Sequence, residues 1–488
     1  MGDSRRDFLK KTGCALTGAA LATQMGLLGR MSAFAQRAPK STAPPSDYRA
    51  LVCIYLNGGN DGDNMVVPLH SDSSLSGYPY YSAARTSKGL ALAQNTLLPI
   101  SVPRVGNLSY GLHPALGQFS GSANNGIYEL YAQGRLAVVS NLGPLVAPMN
   151  RTQFINNTIK KPYQLFSHLD QQNQYLGGRS DTTPLTGWAG RIADIRATYD
   201  NPNGLIPMVT SLNGSSLYIS GQSETALAIE PAWTDLNNVL QPRGFWGSNA
   251  ASKWTAFNGL RTETGGMEML EAAKHMVDQA MVANQALQSY QDVTVSFPRT
   301  HLGMQLKQAA RLIKKRTDLN ITRQIFFVSL GGFDTHNGQL DQHVTLFQDL
   351  SQSMRAFYDE MTLLGLSDKV TQFTVSEFGR TLDPAGSGAN VGTDHGWGGY
   401  SFILGGGVAG ANVYGINTSN GTPFPTLVSN GPDDADSWSG ARGRWIPTSS
   451  IEQYAATLAR WFGVPETSMA SVFPNIANFS QTNLGFMN

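Results

Sequence analysis

Apolar and polar positions along the chain follow two patterns. Short apolar, β-branched runs bounded by Gly, Asn or Ser predict buried strands at 50–56, 135–139, 324–330, 370–375 and 400–404. Longer segments with apolar residues three and four apart predict helices at 266–290, 301–316, 339–364 and 450–462. Because strand and helix alternate in the second half, we expect an α/β fold with a mostly parallel central sheet covered by helices on both faces.

The domain organisation follows from where these patterns stop. Residues 205–255 are polar, rich in Gly, Ser and Asn, and only weakly periodic, which predicts a loop-rich insertion or small cap. No linker, charge block or internal repeat divides the chain after residue 46. We therefore expect a single domain over 50–488 that carries this insertion.

The N-terminus reads as an export signal. SRRDFLKK contains the twin arginine Arg5-Arg6, a weakly apolar run follows at 12–29, and Ala33-Phe34-Ala35 is an A-x-A cleavage site. A helix needs about 20 apolar residues to span a bilayer, and this run is shorter and more polar than that. No transmembrane anchor is therefore expected after cleavage. Residues 1–35 are thus predicted to be a twin-arginine signal peptide, 36–49 a Pro/Ser-rich linker, and the mature protein periplasmic or secreted.

Charge and cysteine content narrow the functional classes. The formal net charge is +1, and the signal peptide holds more basic than acidic side chains, so the mature chain is slightly acidic. Such a chain has no electrostatic basis for binding nucleic acid. Cys14 lies in the signal, which leaves Cys53 alone in the first predicted strand. No internal disulfide can form, and Cys53 is expected to pack as a small apolar residue.

Polar residues with metal-ligating chemistry follow successive predicted strands. Ligands of parallel sheets bind outside the carboxyl ends of the strands. These ends, together with the Gly-rich segment before the last strand, carry Asp61 and Asp63, Asp334 and His336, Glu377 and Arg380, and Asp394 and His395. Gathered carboxylates repel each other unless a cation compensates, and Asp, Glu and His are ligands of zinc, manganese and related ions. A metal site is the simplest interpretation.

Each motif also has a purely structural interpretation, which the sequence leaves open. Asp and Asn in Gly-rich turns often only accept hydrogen bonds from backbone N–H groups, and this applies to 57–64, to Asp334 and to Asp394. Glu377 and Arg380 could pair with each other at the start of a helix. The coincidence of four such motifs favours the site over four separate turns.

Several motifs together resemble a known family. In chain order they are the twin-arginine start, LNGGNDGDNMVVP, GLHPAL, SHLDQQ, GGFDTHNGQ, SEFGRT, GTDHGWGG and EQYAATLARWFG. They are similar to the exported bacterial family of unknown function 1501 (DUF1501). That family looks like a distant branch of the alkaline phosphatase and sulfatase superfamily, so the resemblance implies an alkaline-phosphatase-like fold.

The superfamily resemblance implies a two-metal site and a role for each motif. Asp61, Ser167, Asp334 with His336, Glu377, and His395 occupy the places of its ligands and nucleophile. Phe378 stands where the fourth element would carry histidine, and His336 follows Asp334 at a shorter spacing than in phosphatases, for which His343 is a candidate substitute. We therefore expect one tightly held ion (zinc, manganese or calcium) on Asp334, His336 and His395, and a labile second site with only oxygen ligands from Asp61, Glu377 and Ser167.

Two functions remain compatible with these residues. The first is a metal-dependent hydrolase of phosphate or sulfate esters that takes a small anionic substrate. Ser167 or a metal-activated water attacks, and Arg380 steadies the anion. The second is a non-catalytic exported binding or assembly protein that recognises a protein partner and keeps a structural metal. Ser167 could equally be a helix N-cap bonded to Asp170, and His168 and His113 could act as bases, ligands or core histidines.

Overall fold

The computed structural model describes residues 47–117, 126–224, 226–241, 247–262, 268–437 and 439–488. The predicted signal peptide and residues 36–46 of the predicted linker lie outside the described residues. None of the described helices is long and apolar enough to cross a membrane.

Twelve strands are present among the described residues. They are β1 (Arg49–Asn57), β2 (Val66–Pro68), β3 (Leu98–Val102), β4 (Leu108–Leu112), β5 (Leu136–Gly143), β6 (Val209–Ser211), β7 (Leu227–Ala228), β8 (Arg323–Gly331), β9 (Val370–Val375), β10 (Gly399–Leu404), β11 (Asn412–Tyr414) and β12 (Ser449–Ser450). All five predicted strands occur with boundaries close to those expected. The strands β2, β3 and β4, which form a small antiparallel sheet, were not anticipated.

The central sheet has the order β11-β5-β10-β9-β1-β8-β6-β7, with β12 beside β5. Strands β9, β1, β8, β6 and β7 run parallel to one another, whereas β10 is antiparallel to both of its neighbours, β9 and β5. A mixed α/β fold with a large, mostly parallel sheet is therefore confirmed. The segment 205–255 is not only a loop-rich insertion, because β6 and β7 extend the sheet at one edge.

The helices are α1 (Gly62–Met65), α2 (Tyr78–Arg85), α3 (Tyr128–Ala132), α4 (Arg151–Asn156), α5 (His168–Gly177), α6 (Trp188–Asp200), α7 (Ala250–Thr262), α8 (Glu268–Leu287), α9 (His301–Lys314), α10 (Gln339–Leu363), α11 (Ile451–Phe462) and α12 (Met469–Val472). All four predicted helices are present. The prediction at 266–290 corresponds to α8.

Helices cover both faces of the central sheet. Side chains of β1 alternate between two apolar clusters, with Val52 and Ile54 on one face and Cys53 and Tyr55 on the other. Helices α9 and α10 contribute to the first cluster, and α5, α6 and α11 to the second. Since β1 is buried on both faces, its apolar residues run without polar interruption, as in the sequence. Cys53 is a free, buried thiol within the second cluster.

The topology brings the candidate motifs to one edge of the sheet. Strand β1 lies between β8 and β9 and is parallel to both, so the loops after these three strands leave the same edge. Strand β10 runs in the opposite direction, so the segment 392–399 enters the sheet at this edge as well. The loops that carry Asp61, Asp334 and Glu377 therefore leave the sheet at the same ends of neighbouring parallel strands.

Candidate metal centre

The loop after β1 contains glycines because other loops approach it closely. Gly58 has a φ of +124°, and a Cβ atom there would lie 2.2 Å from the backbone nitrogen of Asp334. Gly59 has a φ of +87°, and its Cβ would lie 2.3 Å from the ring of Phe378. Only glycine adopts these conformations and leaves this space. Both positions let the loops after β8 and β9 pack onto the loop after β1.

Three histidines surround the carboxylate of Asp334. Its Oδ1 atom lies 3.5 Å from Nε2 of His168, 3.1 Å from Nε2 of His336 and 3.6 Å from Nε2 of His395. The Nε2 atoms of His336 and His395 are 3.1 Å apart. His168, Asp334 and His395 offer ligand atoms that all lie within 4.8 Å of one another. These side chains are 25% to 49% exposed, so the cluster is open to solvent.

Each of the three imidazoles is held from behind through its Nδ1 atom. Nδ1 of His168 lies 3.0 Å from Oε1 of Glu377, that of His336 lies 3.2 Å from Oδ1 of Asp394, and that of His395 lies 2.8 Å from the carbonyl oxygen of Phe166. Carboxylate and carbonyl oxygens only accept hydrogen bonds, so each Nδ1 carries the proton. In a neutral imidazole the Nε2 atom is then unprotonated and carries a lone pair.

Lone pairs on three Nε2 atoms and on one carboxylate oxygen therefore converge on a small volume. They repel one another unless a cation or additional protons lie between them. In a tetrahedral zinc site with bonds of about 2.0–2.2 Å, ligand atoms lie about 3.3–3.5 Å apart. The distances of 3.1–3.6 Å in this cluster are of that size. His168, Asp334 and His395 therefore fit a divalent metal ion in their types, tautomers and spacing. His336, whose Nε2 atom lies 3.1 Å from both Asp334 Oδ1 and His395 Nε2, is a candidate fourth ligand.

The pKa directions within the cluster reflect its surroundings. Burial lowers the pKa of His395, which makes protonation of this ring an unfavourable way to relieve the repulsion. The hydrogen bond to Glu377 raises the pKa of His168. Burial would raise the pKa of Asp334, but the hydrogen bond and positive charge of Arg380 lower it overall. The carboxylate is therefore ionised near neutral pH and able to act as a ligand.

Phe378 supports the histidines from the protein side. Its ring is buried, stacks on His395 with centroids 4.6 Å apart, and lies 4.8 Å from the centroid of His168. At this position, where the superfamily pattern would have histidine, the chain thus has an apolar ring that restrains two imidazoles. The described residues contain no other group of three or more metal-ligating side chains with this spacing.

Asp61 lies outside the cluster, in a buried ion pair. Its two oxygens accept hydrogen bonds from Arg85 Nη1 and Nη2 at 2.6 and 3.0 Å, from Gln339 Nε2 at 2.5 Å and from the Asp63 backbone N–H at 3.1 Å. A carboxylate has about four lone-pair sites, and all are used here. The structure therefore does not bring Asp61 to the ion-binding group. Burial, with a contribution from the charge of Asp61, raises the pKa of the neighbouring Asp63 to about 7.

The structure places Glu377 and Arg380 behind the cluster. Glu377 accepts from His168 and, at 2.8 Å, from the backbone N–H of Gly58. Arg380 is buried and donates to Asp334 at 2.6 Å and to carbonyl oxygens of Gly59 and Phe333 at 3.0 Å each. The two residues do not pair with each other at a helix start. Arg380 therefore donates its hydrogen bonds to protein atoms, as a residue that positions Asp334 does.

Ser167 has the geometry of a helix N-cap. It precedes α5, its hydroxyl donates to Asp170 Oδ2 at 2.6 Å, and it accepts from the Asp170 backbone N–H at 3.4 Å. Both partners belong to the first turn of its own helix, which carries His168 into the cluster. His113 and His343 are buried in the core beside Phe347 and do not belong to the cluster.

Substituting Ser167 distinguishes the cap from a nucleophile. Ser167→Ala removes the cap and should lower the free energy of unfolding by about 1 kcal/mol. We expect ester turnover to persist, because the hydroxyl is bonded within its own helix turn. Ser167→Thr, which keeps the hydroxyl, is the matched control in urea denaturation and turnover assays. A loss of turnover of about a thousandfold with unchanged stability would instead identify Ser167 as the nucleophile.

The structure adds residues that the predicted site did not contain. His168 was left open between base, ligand and core residue, and it joins the cluster. Phe166 contributes only its carbonyl oxygen and has a φ of +70°, a conformation that the sequence does not reveal. Arg85 pairs with Asp61 from a helix whose residues give no functional signal. The hydrogen bond of His336 to Asp394 could have been predicted from the sequence, since both residues belong to identified motifs.

Two solved structures have a distant similarity to this chain. Among curated proteins none matches this chain. A solved structure of Ps i-CgsB in complex with k-i-k-neocarrahexaose is 8% identical, with 89% of this chain and 77% of that chain covered and a TM-score of 0.31. The PH0037 protein from Pyrococcus horikoshii is 10% identical, with 74% and 86% covered and a TM-score of 0.23. TM-scores this low carry no argument about fold or function.

The family comparison covers part of the candidate centre. The family model described as "Protein of unknown function (DUF1501)" matches residues 248–423. This segment contains Asp334, His336, Glu377, Arg380 and His395, whereas Asp61 and His168 precede it. Over residues 248–423 the chain is therefore similar to the DUF1501 family.

Proposed function

We propose that the protein is an exported, metal-dependent hydrolase of phosphate or sulfate esters. The observation that carries the proposal is the convergence of three Nε2 lone pairs on the carboxylate of Asp334, with every Nδ1 atom bound to an acceptor behind it. Hydrogen bonds of this kind fix the tautomer and orientation of metal-ligating histidines. A purely structural cluster of histidines has no need to aim its lone pairs at one another.

The ion is held in this proposal by Asp334 with His168, His336 and His395. Imidazole-rich ligand sets favour zinc, whereas calcium prefers ligand sets made only of oxygen. We therefore narrow the expected ion from zinc, manganese or calcium to zinc, and we expect one ion per chain. When bound, such an ion polarises an ester oxygen and lowers the pKa of water.

The charges around the centre support an anionic substrate. Three carboxylates, those of Asp334, Glu377 and Asp394, are accompanied by two guanidinium groups, those of Arg380 and Arg442. The summed charge of these five side chains is slightly negative, and adding a divalent ion makes it positive. A positive charge attracts an anion. The partial exposure of the histidines leaves a phosphate or sulfate group direct access from solvent.

The residues behind the cluster position those in front. Glu377 holds the ring of His168, Asp394 that of His336, and the Phe166 carbonyl that of His395. Arg380 fixes the carboxylate of Asp334 with its Oδ1 atom facing the histidines. These contacts would fix the orientation of the ligand atoms before an ion binds, so that the ion could supply the activation of water.

Chelation tests the enzymatic proposal directly. Turnover of a generic aryl phosphate and an aryl sulfate ester should fall to background after treatment with a chelator and return on addition of zinc. The non-catalytic alternative makes a different forecast, namely a bound ion without turnover of either ester, together with stable recovery of a protein partner. Turnover that persists after complete removal of metal would exclude the proposed chemistry.

The export part of the proposal rests on the N-terminal sequence alone. Replacing Arg5 and Arg6 by lysine should leave the precursor in the cytoplasm, because the twin-arginine route depends on both residues. Cell fractionation measures the distribution, and N-terminal sequencing of the exported form should begin at Gln36. Normal export of the double variant would contradict the proposal.

A further inference from the structure

Gln339, the first residue of α10, is buried and uses its whole side-chain amide. Its Nε2 atom donates to Asp61 at 2.5 Å, and its Oε1 atom accepts from Thr335 at 3.1 Å and from Thr393 at 2.6 Å. All four residues are fully buried. The amide can be oriented in only one way, because a flipped amide would turn its oxygen towards the carboxylate of Asp61.

The two threonines belong to the loops that form the candidate metal centre. Thr335 lies between Asp334 and His336, and Thr393 lies two residues before His395. The backbone N–H of Thr393 also donates to the carbonyl oxygen of Thr335 at 3.1 Å. Gln339 thus ties together two loops that supply three of the four candidate ligands.

The other end of this contact is fixed by the buried ion pair. Arg85 holds both oxygens of Asp61 and also donates to the carbonyl oxygens of Thr381 and Leu382, at 3.1 and 2.9 Å. The hydroxyl of Thr381 in turn accepts from the backbone N–H of Asp394 at 3.1 Å. A continuous chain of buried hydrogen bonds therefore runs from Arg85 to both loops.

We propose that Gln339 is a positioning residue of the metal centre, through which the buried Asp61–Arg85 pair sets the relative placement of the Asp334–His336 and Asp394–His395 loops. Asp61, expected from the sequence to be a ligand, acts instead through Gln339 on the loops that carry the ligands. The expected effect of Gln339 on the metal affinity of the centre rests on the proposed function. Its expected effect on the orientation of the His336 and His395 imidazoles does not. Substituting residues behind metal ligands typically weakens affinity 10–100-fold.

The test compares variants of the full mature chain. Gln339→Met has a similar volume but neither donates nor accepts, and Thr393→Val removes one hydroxyl with little change in shape. Gln339→Glu is the conservative variant, since a carboxyl group that shares a proton with Asp61 reproduces the donor and both acceptor contacts. Gln342→Met is the matched control, because this exposed glutamine of the same helix donates to the carbonyl oxygen of Asn337 at 2.7 Å but bonds neither Asp61 nor the two threonines.

Two readouts separate positioning from general stability. In ¹⁵N NMR of the metal-free protein, His336 and His395 should show the Nδ1–H tautomer in the wild type, in Gln339→Glu and in Gln342→Met. They should show mixed tautomers in Gln339→Met and, to a smaller extent, in Thr393→Val. Zinc affinity from chelator competition should fall 10–100-fold in Gln339→Met and less than threefold in Gln342→Met.

The outcomes are decisive in either direction. Unchanged tautomers together with a zinc affinity within threefold of the wild type in Gln339→Met would overturn the proposal. If Gln339→Met does not fold, the milder Thr393→Val variant decides by the same criteria. A wild-type protein that binds no zinc would refute the proposed function, while the tautomers of His336 and His395 would still decide whether Gln339 positions the loops.

Discussion

His395→Ala is expected to release the tightly bound ion and to reduce ester turnover to background. The Nε2 atom of His395 is 3.1 Å from that of His336 and 3.6 Å from Oδ1 of Asp334, and it belongs to the group of three ligand atoms that all lie within 4.8 Å of one another. Losing one of three or four ligands removes a large part of the binding free energy and leaves the carboxylate less well compensated. The metal content after exhaustive dialysis and the rate of ester turnover measure the effect.

Glu377→Gln is the matched control for this substitution. It keeps an oxygen that can accept from His168 and from the Gly58 N–H, so the ion should be retained with an affinity reduced by tenfold or less. Full retention of metal in His395→Ala would show that the ligand assignment is wrong. Two equally tight ions in the dialysed wild type would also contradict it, because only one cluster of this spacing exists among the described residues.

Arg85→Met should destabilise the protein by about 3–5 kcal/mol, because it leaves the carboxylate of Asp61 buried and without its counter-charge. Both side chains of the pair are fully buried, so solvent cannot replace the lost partner. Urea denaturation of the metal-free protein measures the free energy of unfolding without a contribution from ligand binding.

An exposed ion pair and a double variant complete the second experiment. Lys369→Met breaks the pair with Asp368, in which the two side chains are 39% and 56% exposed, and should cost no more than about 1 kcal/mol. Adding Asp61→Asn to Arg85→Met removes the uncompensated charge and should recover part of the lost stability. If Arg85→Met is no more destabilising than Lys369→Met, the buried pair does not stabilise the fold.

The sequence predicted the scaffold of this molecule well because its signals were local. The strand β1 is an unbroken apolar run followed by a Gly-rich turn, and α10 has apolar residues three and four apart over its whole length, so neither needs a distant partner to be recognised. The strands β6 and β7 are two or three residues long and carry no periodicity. They form because the edge of β8 is available, which only the assembled sheet shows.

The sequence predicted where the candidate site lies but not which role each of its residues has. Topology rules place the loops after parallel strands at one edge, which was sufficient for Asp334 and His336. His395 lies there because β10, the strand that follows it, runs antiparallel to β9. Whether a carboxylate faces an ion or an arginine depends on a residue elsewhere in the chain, as the pairing of Asp61 with Arg85 shows. The partner of His395, a backbone carbonyl, carries no side-chain signal at all.

The central position of β1 has a consequence for how the chain must fold. This strand is synthesised first among those of the sheet, yet its partners are residues 323–331 and 370–375, so its pairing closes loops of more than 260 residues. A nascent chain that has not reached Arg323 leaves both edges of this apolar strand unpaired, a condition that favours association with other chains. We expect acquisition of native structure to be post-translational, and truncation before β9 to yield insoluble protein rather than a smaller folded unit.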